Sequence, residues 1–247
     1  DNERSWKPDV LVPITNRSQL DGSYRFLRAL VFPKGSLQIV GVRTGDEPTG
    51  LTVPPLSKDA TTSEEQRSKH TRSISQKLKS KRANDLHQIG EIARDFQVVE
   101  GIYTSAVVIE APSLVSGISQ SSIVMRGEYF KPNILFALAH GMPREELQGL
   151  YDIAVRDHMG AALLLLHEEA GLGHERNINV WVRDQSPAWE LGLRLANLDL
   201  SVLFAVQLGK NWRGRIRLIC ICADAASIDP AQEYLEQMAE DARLPSN

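Results

Sequence analysis

Two stretches of this chain repeat one another 124 residues apart. Residues 6–12 read Trp-Lys-Pro-Asp-Val-Leu-Val and residues 130–136 read Phe-Lys-Pro-Asn-Ile-Leu-Phe. Every position is identical or chemically close. Leu30-Val31 and Ala154-Val155 keep the same spacing, and Gly35 and Gly160 follow one residue out of step. A repeat of this kind restricts the fold more than composition does, because the same supersecondary unit must occur twice.

The unit is legible. After Lys-Pro comes a short apolar run, Val10–Ile14 or Ile134–Ala139, which predicts a strand buried on both faces. Helical spacing follows: Leu20, Tyr24, Leu27 and Val31 in one copy, Leu147, Leu150, Tyr151 and Ala154 in the other. Pro143 and the acids Glu145 and Glu146 suit the first turn of the second helix, and His158 suits its last. A glycine ends each helix, and a second apolar run follows, Leu37–Val42 or Ala162–Leu166. Strand–helix–strand of this length is a βαβ crossover, hence a parallel sheet covered by helices. The predicted class is α/β. It has two related halves, each a mostly parallel sheet flanked by helices in three Rossmann-like layers. Residues 1–127 form the first half and 128–247 the second.

Further along, Ile178–Val182 and Ile216–Cys222 read as strands, and Pro187–Leu195, Leu198–Leu208 and Pro230–Arg243 as helices. In the first half, Gln97–Tyr103 is expected to be a strand and Ser113–Met125 a weak helix. A loop and basic helix are expected as an insertion over residues 43–95. Between Gln66 and Asn84 this insertion holds Arg67, Lys69, Arg72, Lys77, Lys79, Lys81 and Arg82 with no acid among them. Such a segment is either a solvated basic face or a contact for anionic lipid headgroups, worth about 1 kcal/mol per basic residue. It lacks the interleaved aromatics of a nucleic-acid surface. The whole chain has 28 basic and 31 acidic side chains, a net charge of −3, which also argues against a general nucleic-acid binder.

Chemistry is sparse. His167 and His174 are too far apart for a zincin pair, which needs its histidines four residues apart on one helix face. Gly171-Leu172-Gly173 lacks the third glycine of a dinucleotide loop, because Arg176 stands there. Gly45 and Gly50 have Walker spacing, but Leu51 replaces the lysine. Gly117–Ser121 lacks the second glycine of a nucleophile elbow. Cys220 and Cys222, the two cysteines, would share one strand face as buried, reduced thiols. His140, just past the first strand of the second half, is at a position where open α/β sheets bind ligands, with Thr15 at the corresponding place in the first half. No nucleophile–base pair or carboxylate dyad emerges, so no catalytic, cofactor or metal residue is assigned.

The longest apolar runs are six residues, as in Ile134–Ala139, against the roughly 20 of a spanning helix. Asp1-Asn2-Glu3-Arg4 does not open a signal peptide, and the missing initiator Met suggests a fragment of a longer protein.

Four patches in order resemble the cytoplasmic C-terminal domain of cation-chloride cotransporters. They are Trp6-Lys7-Pro8, Lys131-Pro132-Asn133 with Leu135, Ile178-Asn179-Val180-Trp181, and Trp212-Arg213-Gly214-Arg215-Ile216-Arg217. Val182 departs from a second Trp in the family pattern, and Asp184-Gln185-Ser186 departs from Asp-Gly-Gly. The resemblance implies two universal-stress-protein-like α/β halves on the cytoplasmic side of the cell membrane, following the transmembrane domain of the same polypeptide. It implies a homodimer that regulates transport, with no enzymatic activity and no cofactor. The Gly-x-x-Gly pattern with which stress proteins bind ATP is missing. A free nucleotide-binding α/β protein is the alternative reading.

Overall fold

The computed structural model describes residues 6–44, 89–127, 129–183, 189 and 196–244. The elements run in order β1 (Asp9–Ile14), α1 (Arg17–Val31), β2 (Ser36–Thr44), β3 (Tyr103–Ala111), α2 (Leu114–Met125), β4 (Ile134–Leu138), α3 (Arg144–Arg156), β5 (Gly160–Leu164), β6 (Asn177–Val182), α4 (Ala196–Trp212), β7 (Arg215–Cys220) and α5 (Ile228–Asp241). The α/β class, with parallel sheets flanked by helices, is the observed one.

Five strands form one parallel sheet in the order β3-β2-β1-β4-β5. This is a doubly wound order whose direction reverses between β1 and β4. The two repeat units, β1-α1-β2 and β4-α3-β5, therefore meet at the centre. Val10 pairs with Ile134 and Leu11 with Leu135, so residues 124 apart in sequence are neighbours in space. The expected halves do not each close a sheet of their own, and the expected boundary at 127/128 falls inside this one. The physical reason is that each two-stranded unit has an open edge, and the units bury those edges against each other.

The Lys-Pro-Asp/Asn signature forms this seam. The Asp9 N–H donates to Asn133 Oδ1 at 3.0 Å, and the Asn133 N–H donates to the Asp9 carbonyl at 2.9 Å. Asn133 Nδ2 donates to the Lys7 carbonyl at 2.7 Å, and Ser36 Oγ donates to Asp9 Oδ1 at 2.6 Å. The same loops feed β2 and β5: the Ser36 N–H donates to the Pro8 carbonyl and the Gly160 N–H to the Asn133 carbonyl.

One sheet face packs Val10, Val12 and Ile14 against α1, residues 89–96 and part of α4. The other packs Leu11, Val40 and Val42 against α2 and α3. Strands buried on both faces read as continuous apolar runs, as β1 does. On the second face, Asp157 is buried at the end of α3. Arg156 grips it through both carboxylate oxygens at 2.8 and 2.9 Å and also donates to Ser119 Oγ and Ser122 Oγ of α2. Arg126 adds a further ion pair to Asp157.

Two local expectations are corrected. Gln97–Tyr103 is not a strand. Residues 89–94 are helical and continue into a π-helical turn over Asp95–Val99, and the strand is β3, starting at Tyr103. Ile89, Ile92, Ala93 and Phe96 are buried at helical spacing, while Val98 and Val99 are 71% exposed. Tyr24 stacks on Phe96 at 4.3 Å and hydrogen-bonds Glu100, which also pairs with Arg28 at 2.5 Å, so this segment is clasped to α1. Burial and the Glu100 carboxylate push the Tyr24 phenol above its ordinary range. Second, glycine is not the helix stop. α1 ends at Phe32 before Pro33, and α3 ends before His158, which takes a left-handed conformation.

Residues past β5 build a second, two-stranded parallel sheet of β6 and β7. Helix α4 belongs to both sheets. It packs Val202 and Ala205 on β6–β7 and turns Phe204, Leu208 and Trp212 toward the first core. Phe26 of α1 meets Phe136, Phe204 and Trp212, and Trp6 meets Phe204 at 6.0 Å. Asn211 Nδ2 donates to the Ala29 and Phe32 carbonyls at the end of α1, and Arg25 pairs with Glu175 at 2.8 Å. The helix expected over Pro187–Leu195 lies outside the described residues apart from Trp189, which packs edge-on against Tyr234.

Three substitutions test this frame. A Cβ at Gly35 would collide with the Pro8 carbonyl and lie 2.9 Å from the Val31 carbonyl, and backbone cannot yield as a side chain does. Gly35→Ala should therefore cost about 3 kcal/mol in urea unfolding. Gly90→Ala, in a helical stretch with nothing within 4 Å, should be neutral or stabilise by about 0.5–1 kcal/mol. Asn133→Ala removes two seam hydrogen bonds and should cost about 1–2 kcal/mol by the same measurement, whereas loss at a solvated position would be near zero.

Candidate functional site

Where the winding direction reverses, the loops after β1 and β4 lead to helices on opposite faces of the sheet, the point at which a doubly wound sheet forms its crevice at the carboxyl ends of the strands. In a doubly wound sheet this is the ordinary ligand site. Here Thr15 and Asn16 come from the first loop and Gln19 from the first turn of α1, and His140, Gly141 and the start of α3 come from the second side.

The first wall is closed by its own side chains. Asn16 caps α1, its Oδ1 accepting from the Gln19 N–H at 3.2 Å and from Ser18 Oγ at 2.6 Å. Gln19 Oε1 reaches back to the Thr15 N–H at 2.8 Å and to Thr15 Oγ1 at 3.3 Å. These contacts occupy helix-end donors that an anion would otherwise use. The second wall repels anions. Helix α3 has no side-chain cap, and Glu145 and Glu146 fill its first turn. Two carboxylates at a helix N-terminus complement the dipole themselves and oppose a phosphate.

His140 is exposed in the loop that follows β4, as its sequence position suggested, and Thr15 is exposed across the crevice. Gly141 has a φ of 72°, which lets the chain turn sharply toward α3. Nothing at this crevice pairs a nucleophile with a base.

A second concavity belongs to the β6–β7 sheet. A groove of about 750 Å³ opens between β7 and α5, floored by Ile216, Leu218 and Leu235 and edged by Glu236. Cys220 and Cys222 both line it, and neither is in a disulfide. The sharing of one side was expected. They are half-buried rather than buried. Among the described residues, no group of three or more His, Cys, Asp or Glu side chains is placed to hold a metal ion. The signal for this groove was present in α5. Ala231, Tyr234 and Met238 form a buried stripe, while Leu235 and Ala239 form a second, half-buried one beside it.

The basic candidates Arg67, Lys69, Arg72, Lys77, Lys79, Lys81 and Arg82 lie outside the described residues. The tryptophans of the quoted patches have definite places. Trp6 and Trp212 meet the aromatic cluster around Phe26 and Phe204, whereas Trp181 points outward from β6 and is 63% exposed. No helix among the described residues is long and apolar enough to cross a membrane.

Comparison with known proteins agrees with this arrangement. A family model described as prokaryotic cation-chloride cotransporter, C-terminal domain, first part, matches residues 12–172. The model for the second part matches residues 173–247. The two meet in the connection between β5 and β6, where the five-stranded sheet ends. A crystal structure of the cytoplasmic domain of a prokaryotic cation chloride cotransporter superposes with a TM-score of 0.71 at 26% identity, over 97% of this chain and 76% of that one. No curated protein gives a significant match. With both family models laid end to end along it, the chain belongs to the prokaryotic cation-chloride cotransporter C-terminal domain family.

Proposed function

We infer that this domain is the regulatory and dimerisation module of a membrane cation-chloride cotransporter. It follows the transmembrane domain of the same polypeptide on the cytoplasmic side and is not itself catalytic. The observation that carries the reading is the consecutive match of both family models from residue 12 to residue 247.

The crevice supports a non-catalytic role. Its helix ends are self-capped or acidic, so the fold keeps the architecture of a nucleotide site without the charge that would hold a nucleotide. The edge of the large sheet supports pairing with a second copy. Strand β3 ends the sheet with nine residues that contain no proline and no basic side chain. Tyr103 and Val107 are 46% and 39% exposed, Phe130 stacks on Tyr103 at 4.4 Å, and Tyr129 beside it is 93% exposed. An apolar open edge of this length is a template for another strand. The basic segment around Arg67–Arg82 supports contact with anionic lipid or with the transporter's own cytoplasmic loops.

Two measurements test the reading. Light scattering across a dilution series should show a dimer, and Val107→Lys should shift it to monomer at matched concentration while leaving the melting temperature within a few degrees. A wild-type chain that stays monomeric at high concentration, with transport by the full-length protein unchanged when the domain is deleted, would overturn the reading. Millimolar Mg-ATP should leave the melting temperature unchanged. A ligand at 100 times its Kd would add about 2.7 kcal/mol, a shift of several degrees, and would restore the nucleotide-binding alternative.

A further inference from the structure

Parallel sheets normally have both faces covered. Among the described residues, the β6–β7 sheet has one face covered and one open. Val180, Val182, Ile216 and Leu218 pack against α4 and α5. The alternate residues point the other way, and the strand register sets them in rows. Asn177 lies beside Arg215, Asn179 beside Arg217, and Trp181 beside Ile219. Arg183 and Ile221 extend the same two lines just past the strands. All of these side chains are exposed except Ile219, which is half-buried.

The open face is ordered chemically. One end is polar and basic, built from two asparagines and two arginines. The other end is apolar, with Trp181 63% and Ile221 71% exposed, and Arg183 at its margin. No acid belongs to the outward set, and no ion pair to Arg183, Arg215 or Arg217 occurs among the described residues. The negative charge lies on a different surface: α5 carries Asp229, Glu233, Glu236, Glu240 and Asp241 and no basic residue. The domain therefore has one acidic helix and a separate basic, aromatic sheet face.

We propose that this open face of β6–β7 binds the surface of an anionic lipid bilayer. Arg215 and Arg217, with Arg183, engage the phosphate headgroups, while Trp181 and Ile221 enter the interfacial layer. The charge complementarity is direct. Arg215 and Arg217 are two residues apart on β7 and Arg183 follows β6, so the strand backbone holds all three on one side, and each planar guanidinium can bond a phosphate through two parallel N–H groups. Trp at the boundary between a charged and an apolar zone is the side chain best suited to a headgroup interface. An extended nucleic acid fits less well, because the face offers one exposed aromatic rather than a row of stacking platforms. This surface is distinct from the basic segment at 67–82. The inference rests on the reading of the domain as part of a membrane protein, but its test does not require the transporter.

The experiment is sedimentation of the full 247-residue chain with phosphatidylglycerol–phosphatidylcholine vesicles, with pure phosphatidylcholine vesicles as the comparison. Expected are binding to the anionic vesicles alone, weakening with salt, and a blue shift of tryptophan emission that Trp181→Ala removes. The double substitution Arg215→Glu with Arg217→Glu should reduce partitioning by about tenfold or more, at about 1 kcal/mol per basic group. The milder Arg217→Lys should retain most of it and guards against a folding defect, which the melting temperature also reports. A chain with all seven basic residues of the 67–82 segment replaced by alanine should keep the Trp181 blue shift. The proposal is overturned if anionic and neutral vesicles sediment the chain equally, if the Arg215/Arg217 reversal has no effect, or if only the 67–82 replacement abolishes binding. It is also overturned if the chain ignores vesicles but binds single-stranded RNA through the same arginines. None of these results would touch the dimerisation and transport measurements, so failure here is distinguishable from failure of the functional reading.

Discussion

The pairing of β1 with β4 is the contact on which the other layers depend. Val10, Leu11, Ile134 and Leu135 are at most 1% exposed at this seam. Full burial of such side chains is worth about 1.5–3 kcal/mol each. Asp9 and Asn133 clamp its amino-terminal end with mutual hydrogen bonds, and the flanking Pro8 and Asn133 carbonyls launch β2 and β5 through their first ladder bonds. The helices on either face are then laid across strands already held in place. Because the winding direction reverses at this seam, the same contact also opens the crevice between the loops that follow it.

At the crevice, position and side-chain chemistry pull in opposite directions. Position alone would favour a ligand there. The local side chains oppose an anion: Asn16 and Gln19 satisfy the end of α1 internally, and Glu145 and Glu146 put negative charge at the start of α3. The features left available to a partner lie elsewhere, on the edge of β3 and on the outer face of β6–β7. Each is a sheet surface that the described helices leave uncovered.

Helix α4 couples the two sheets. Its Phe204 and Trp212 join the aromatic cluster around Phe26, and its Asn211 caps the last carbonyls of α1. A shift of the β6–β7 sheet would have to break these contacts or carry α1 with it.

The sequence by itself determined the strands that are buried on both faces and the helices packed on them. Continuous apolar runs such as Val10–Ile14 and helical stripes such as Leu20, Leu27 and Val31 are local patterns, and they report local structure directly. The repeat also announced that one βαβ unit occurs twice, and the spaced Trp and Lys-Pro patches announced the family. The edge strand was not legible. β3 alternates weakly because it is half solvated, and the exposed Val98 and Val99 just before it imitated a strand. Which edges pair, which faces stay open and where the thiols meet a groove were decided only by tertiary structure. The central pairing joins residues 124 positions apart, and the groove depends on how a helix lies against a strand. Hydrophobic periodicity records that a side chain is buried but not which neighbour buries it.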